Sequence, residues 1–249
     1  MTVCNKFINL NLIIYDTPFK KKFDCSKYDK CKKILGPDNI NSGYSYTNNI
    51  VIFRKEELTK LIIHETIHCL DIDIKHEDSK LNKHLQNLFC IKSRDFLVNE
   101  SYVETWSSII HVFLLNYYKF RNYDYDIFKK TIQKQIIFSL NQSAKILTYY
   151  SINKYEDVLK TNGCKTHIIE NTNVFSYHIL KTVNLVNINN FIKNFRSYKT
   201  PHILEKYSYP NYIRFLESKH LTIQDKINKV LKKTTLIDDL NLRMVLGLF

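Results

Sequence analysis

Apolar and polar positions change period several times along this chain of 249 residues. The first apolar run, over 7–15, is interrupted by Asn9 and Asn11, and this alternation predicts a strand. No small-residue cleavage site follows it, which argues against a signal peptide. A Lys-rich stretch then leads into a short predicted helix over about 28–35, stopped by Gly36-Pro37. Residues 43–47 and 50–54 are aromatic and β-branched. Asn48-Asn49 between them tolerates positive φ, so the two runs predict a hairpin.

Helical spacing dominates from there. Residues 61–70 form an apolar run entered from Arg54, Lys55, Glu56 and Glu57, and 79–91 carry Leu81, Leu85 and Leu88 along one stripe. Further helices are predicted over 96–120, 127–147, 174–186, 203–216, 223–231 and 236–248. There is no repeat, low-complexity linker or glycine-rich phosphate loop. The longest later apolar stretch, 109–118, contains His111 and Asn116 and falls well short of the roughly 20 residues that span a bilayer, so no membrane partner is expected. The pattern predicts one α+β, predominantly helical domain over 1–249. A small antiparallel sheet and the helix at 61–70 form an N-terminal lobe to about residue 93, and an all-helical C-terminal lobe covers 94–249.

Composition fits a globular chain, with 44% hydrophobic and 24% charged residues. A formal net charge of +13 normally raises nucleic acid as a partner. Here, however, Lys far outnumbers Arg, the basic residues are spread along the chain, Asn, Ile and Tyr are in excess, and Gly and Pro number four each. That is the composition of AT-rich coding DNA, so the charge carries little weight and leaves nucleic acid open. Cys4, Cys25, Cys31, Cys69, Cys90 and Cys164 form no C-x-x-C pair, and free thiols in a reducing compartment are expected.

The chemistry lies in His64-Glu65-Thr66-Ile67-His68, an H-E-x-x-H motif. On a helix the two histidines share one face, in reach of one metal ion, with Glu65 beside its open side. Random placement of this composition gives only about 0.013 such matches. Ile62, Ile63, Ile67 and Leu70 supply an apolar face for packing, where buried imidazoles and a carboxylate need partners. A catalytic zinc takes three protein ligands, and His-His-Glu is one known set. A third histidine six residues after His68 would mark a metzincin, but that position is Ile74, and His76 and His84 are out of register. A glutamate from a later helix remains. Glu100 and Glu104 lie one turn apart in a segment made apolar by Val98, Val103, Trp106, Ile109 and Ile110.

Taken together, the two motifs resemble those of the gluzincins, the thermolysin-like clan of zinc peptidases. In that clan H-E-x-x-H is followed on a later helix by an N-E-x-x-x-[DE] segment, which Asn99-Glu100-Ser101-Tyr102-Val103-Glu104 matches. The likeness covers 50–106. The separation from His68 to Glu100 is longer than in thermolysin, and the glycine-rich aminopeptidase motif is absent. The resemblance implies a zincin-like fold with a cleft between the lobes and Zn2+ held by His64, His68 and Glu100. It gives Glu104 the task of hydrogen-bonding a ligand histidine, though the two glutamates can exchange roles. Glu65 is then general base and afterwards general acid. The oxyanion donor is expected from the second lobe, where Tyr177 and His178 are adjacent and Tyr177 is preferred. Gly43, Tyr44 and Ser45, on an edge strand, are expected to bind substrate backbone.

The expected activity is a zinc-dependent endopeptidase acting on a protein or peptide. Two other readings are a non-catalytic zincin-like module that binds protein or nucleic acid, and a metal-dependent hydrolase of a non-peptide amide. The intact Glu65 favours catalysis. With its composition, the chain looks like an orphan gluzincin of a large DNA virus or another AT-rich genome, expected in the cytoplasm, which is the host cytoplasm or the virion if it is viral. Its oligomeric state stays open.

Overall fold

The computed structural model describes residues 9–23, 34–74, 78–94, 96–121, 124–196, 208–233 and 241–246. Strands β1 (Asn11–Ile14), β3 (Gly43–Tyr46) and β4 (Asn49–Ile52) form a sheet in the order β1-β4-β3. β3 pairs antiparallel with β4, Tyr46 opposite Asn49, so Asn49 lies within the strand. The two-residue turn is therefore Thr47-Asn48, with Thr47 at φ 47°, one residue earlier than the sequence suggested. β1 pairs parallel with β4, Leu12 opposite Ile50. The sheet is thus mixed, a correction to the antiparallel sheet expected, because the chain returns to β4 from β1 by a crossover and not a hairpin.

β4 leads into helix α2 (Leu58–Cys69), which carries the H-E-x-x-H motif. Ile50 and Ile52 meet Leu61, with Leu58 and Ile62 against them, and this seats α2 on the sheet. Each such aliphatic side chain contributes ~1.5–3 kcal/mol on burial. Helix α3 (Ser79–Leu88) starts at Asp78, whose carboxylate accepts from Lys80 N and Leu81 N. The long helices α4 (Asn99–Phe120) and α5 (Tyr125–Tyr149) follow.

A second sheet is the main departure from expectation. β2 (Ile34–Leu35), β5 (Ile91–Ser93) and β6 (Ile168–Glu170) form a parallel sheet in the order β2-β6-β5. Ile34 pairs with Ile169, and Ile91 with Ile168. The second half is therefore not all-helical: it supplies the central strand of a sheet whose flanking strands come from the first half. Ile34 and Leu35, assigned to a helix end, belong to this sheet, and the rest of that predicted helix lies outside the described residues. Next to this sheet Cys90 and Cys164 are joined by a disulfide with Cα atoms 5.5 Å apart. That corrects the expectation of free thiols at these two positions, whereas Cys69 is free.

A π turn (Ser176–Leu180) runs into α6 (Lys181–Val186), and α7 (Ile188–Phe195), α8 (Tyr209–Lys219) and α9 (Gln224–Leu231) complete the helices among the described residues. The predicted helix over 236–248 is not formed where it is described. Residues 241–246 are irregular, with Asn241 bridging to Lys22. The larger hydrophobic core joins both halves, with the rings of Tyr102, Trp106, Phe191, Phe195, Tyr212 and Phe215 in tilted and edge-to-face contact within it. The fold is α+β and mostly helical. No helix among the described residues is long and apolar enough to cross a membrane.

Candidate metal centre

α2 lies against α4 so that the N-terminal turns of α4 face His64 and His68. Helical spacing puts both histidines on one side of α2, and puts Glu100 and Glu104 on one side of α4. His64 Nε2 and His68 Nε2 stand 3.2 Å apart. Glu100 Oε2 is 3.3 Å from the first and 3.7 Å from the second. Tetrahedral ligands at about 2.0–2.2 Å from a zinc ion are about 3.3–3.6 Å from one another, which is the size of this triangle. Among the described residues, these three are the group of His, Cys, Asp and Glu whose atoms converge closely enough to hold a metal ion.

Behind the triangle a carboxylate stands beside the other nitrogen of each imidazole. His64 Nδ1 is 3.0 Å from Glu104 Oε1, and His68 Nδ1 is 2.8 Å from Asp73 Oδ2. Such carboxylates fix the tautomer that leaves Nε2 free to bind a cation. Asp73 was not anticipated from the sequence. The chain turns back there because Asp71 takes φ 59°, and this brings Asp73 beneath His68.

Glu104 is 1% exposed and is gripped from two further sides. Lys60 Nζ donates to its Oε1, and Lys181 Nζ lies 3.7 Å from Oε2. Lys60 sits one turn before His64 on α2, so the same helical face supplies both the imidazole and the cation that meet Glu104. The buried charges around the triangle are Glu65, Asp73, Glu100 and Glu104 against Lys60 and Lys181. With neutral imidazoles this leaves two negative charges over, which a divalent cation balances.

The electrostatics agree in direction. Burial pushes the Glu100 carboxyl up, yet the two imidazoles beside it hold it far below the usual carboxylate range. Burial likewise opposes charge on His68, but Asp73 and Glu100 beside it raise its pKa to about 10. Burial raises the Tyr177 hydroxyl well above its ordinary value, and the charges of Glu100, Glu104 and Glu65 add to this, so Tyr177 stays a proton donor.

A pocket of about 30 Å³, room for a water or two, reaches the triangle at His64, while His68 and Glu100 lie outside its lining. Glu65, His64, Glu104, Tyr177 and Gly43 line it, together with Met244 from the irregular segment near the end of the chain. Tyr177 comes from the π turn, with its ring centroid 6.4 Å from that of His64. His178 does not line this pocket. Its ring is buried, both nitrogens lack partners among the described residues, and burial drives its pKa well below the ordinary value. Of the strand residues expected at the cleft, Gly43 lines it and Tyr44 and Ser45 do not. Tyr44 points outward and stacks on Tyr46 at 6.0 Å. A side chain at Gly43 would meet Val51 O at 2.7 Å, so the close approach of β3 to β4 beside the pocket requires glycine.

The structure thus brings together His64, Glu65, His68, Glu100, Glu104, Gly43 and Tyr177, and leaves His178, Tyr44 and Ser45 off the pocket. Sequence spacing gave no hint of Lys60, Asp73, Lys181 and Met244. No family model matches this chain, and no curated protein or solved structure is significantly similar to it.

Proposed function

We propose that this protein is a zinc-dependent peptidase whose metal ligands are His64, His68 and Glu100. The observation that carries the reading is the triangle of 3.2, 3.3 and 3.7 Å between two Nε2 atoms and a carboxylate oxygen, with a carboxylate behind each imidazole. Bound there, zinc supplies Lewis-acid activation of water and of the scissile carbonyl.

The rest is work for the chain's own residues. Glu65, buried at the wall of the pocket, takes the proton from the attacking water and delivers it to the leaving amine. The Tyr177 hydroxyl, kept protonated by burial and its acidic neighbours, donates to the oxygen that gains charge as the carbonyl is attacked. β3 is the edge of its sheet, paired only with β4 among the described residues, and its free backbone groups near Gly43 suit an extended peptide added as a further strand. That edge favours a peptide over a small amide.

The test is Glu65→Gln, which removes the proton carrier and no ligand. The variant should bind zinc as the parent does and lose cleavage of a denatured protein substrate by orders of magnitude. Turnover by Glu65→Gln near the parent rate would refute the reading.

A further inference from the structure

Arg54 follows Phe53 just after β4 and is 6% exposed. Its Nη2 donates to the backbone carbonyl of Asp38, but among the described residues Nε and Nη1 have no partner. A guanidinium is always charged and carries five N–H groups. Leaving buried charged donors unsatisfied is costly, so such a group is kept either by strain elsewhere or by a ligand that completes it.

Arg54 lines a pocket of about 560 Å³ that shares no lining residue with the small pocket at His64. Phe19 and Phe53 form aromatic walls, and Lys20 and Lys22, both exposed, also line it. Asp38 is the acidic residue there. Three cations line the space against one carboxylate, and Glu56 acts on Arg54 from outside the lining, so the lining itself is mainly cationic. Lys20 and Lys22 line this pocket, while Lys21 between them lines the pocket at His64 and meets Glu57 at 2.8 Å. Lys21 is thus neutralised and the two flanking lysines are left to this pocket.

We propose that this pocket binds a phosphate group, with Arg54 as its deep contact and Lys20 and Lys22 closing over it. The cationic lining suits an anion, and the orphaned guanidinium donors are the bonds that phosphate oxygens complete. The volume and the two phenyl rings leave room for an organic body attached to the phosphate.

The experiment is calorimetric titration of the full chain with inorganic phosphate and with phenyl phosphate. Chloride holds the ionic strength constant, so that the basic surface at large gives no signal. Saturable binding of both is expected. Tighter binding of phenyl phosphate assigns the pocket to a phosphate ester, and equal binding assigns it to free phosphate. Arg54→Gln should weaken binding about tenfold or more, as expected for loss of charge-assisted hydrogen bonds. If Arg54→Gln does not fold, the double variant Lys20→Gln, Lys22→Gln at two exposed positions should weaken binding several-fold. Glu100→Ala, which disables the metal triangle, should leave phosphate binding intact. The proposal falls if the parent shows no saturable binding, if the Arg54 variant (or, where that does not fold, the lysine double variant) binds as the parent does, or if Glu100→Ala alone abolishes binding.

Discussion

Asp73 holds His68 by Nδ1 at 2.8 Å, five residues beyond the histidine and past the end of its helix. In this it repeats for His68 what Glu104 does for His64 from a different helix. Removing such a carboxylate frees the ring to rotate and lowers its basicity. Asp73→Ala should therefore weaken zinc binding about 10–100-fold. Competition with a zinc chelator measures this, and an unchanged affinity would show that Asp73 merely caps the helix.

The two glutamates of α4 differ in what they touch. Glu100 offers Oε2 to both Nε2 atoms, whereas Glu104 is occupied by His64 Nδ1, Lys60 and Lys181. Glu100→Ala should thus arrive without metal, while Glu104→Ala should keep a weakened site. Glu104→Ala should also lose stability, by about 3–5 kcal/mol, because it leaves Lys60 buried without its partner. Metal analysis and urea unfolding of both variants separate the roles; a metal-free Glu104→Ala beside a zinc-loaded Glu100→Ala would reverse them.

Zinc entry should release protons. In the metal-free chain burial opposes the charge on His68, but Asp73 and Glu100 raise its pKa to about 10, so near pH 7 the ring is protonated. A cation needs the Nε2 lone pair and must displace that proton. Affinity should rise with pH through the neutral range and level off near pH 10. Titrations near pH 7 in buffers of different ionisation heat should report at least one proton released per zinc, and buffer-independent heats would contradict this.

Glu170 supplies a pH dependence from outside the His64, His68 and Glu100 triangle. It ends β6, is 1% exposed, and accepts from Phe175 N at 2.8 Å. Burial outweighs the backbone donors and lifts its pKa to about 8. The folded pKa is raised, so the stability linked to the neutral form is whole below the unfolded value and is lost as pH climbs toward 8. Glu170→Gln should therefore be nearly neutral at pH 4, and above pH 8 should raise stability by about 1.4 kcal/mol for each unit of the shift that it removes. Melting temperatures of parent and variant at pH 5 and 9 test this; an equal difference at both would exclude titration of Glu170.

What the sequence revealed follows from range. H-E-x-x-H and the Glu100/Glu104 pair are visible because each lies within one helix, where spacing alone decides which side chains share a face. Asp73 depends on a left-handed residue at Asp71, a position with no glycine to announce it. Strands of two or three residues, such as β2, β5 and β6, are too short to show a period, and each forms only because its partner arrives from a distant part of the chain. The Cys90–Cys164 pair spans 74 residues, a distance at which spacing says nothing about pairing. Tyr177 and His178 are neighbours in sequence, and only the packing of the π turn tells which one reaches the pocket.

The central position of β6 also orders events in time. β2 and β5 cannot pair with each other, and the strand that joins them is Ile168–Glu170, so the sheet stays open until the ribosome has passed well beyond two-thirds of the chain. Contacts so distant in sequence close slowly, because the loop entropy is lost before any contact is gained. The first half, with the motif helix α2 already made, must wait with an unpaired strand edge exposed. Nascent chains released before residue 170 should be the species most prone to aggregate or to need a chaperone.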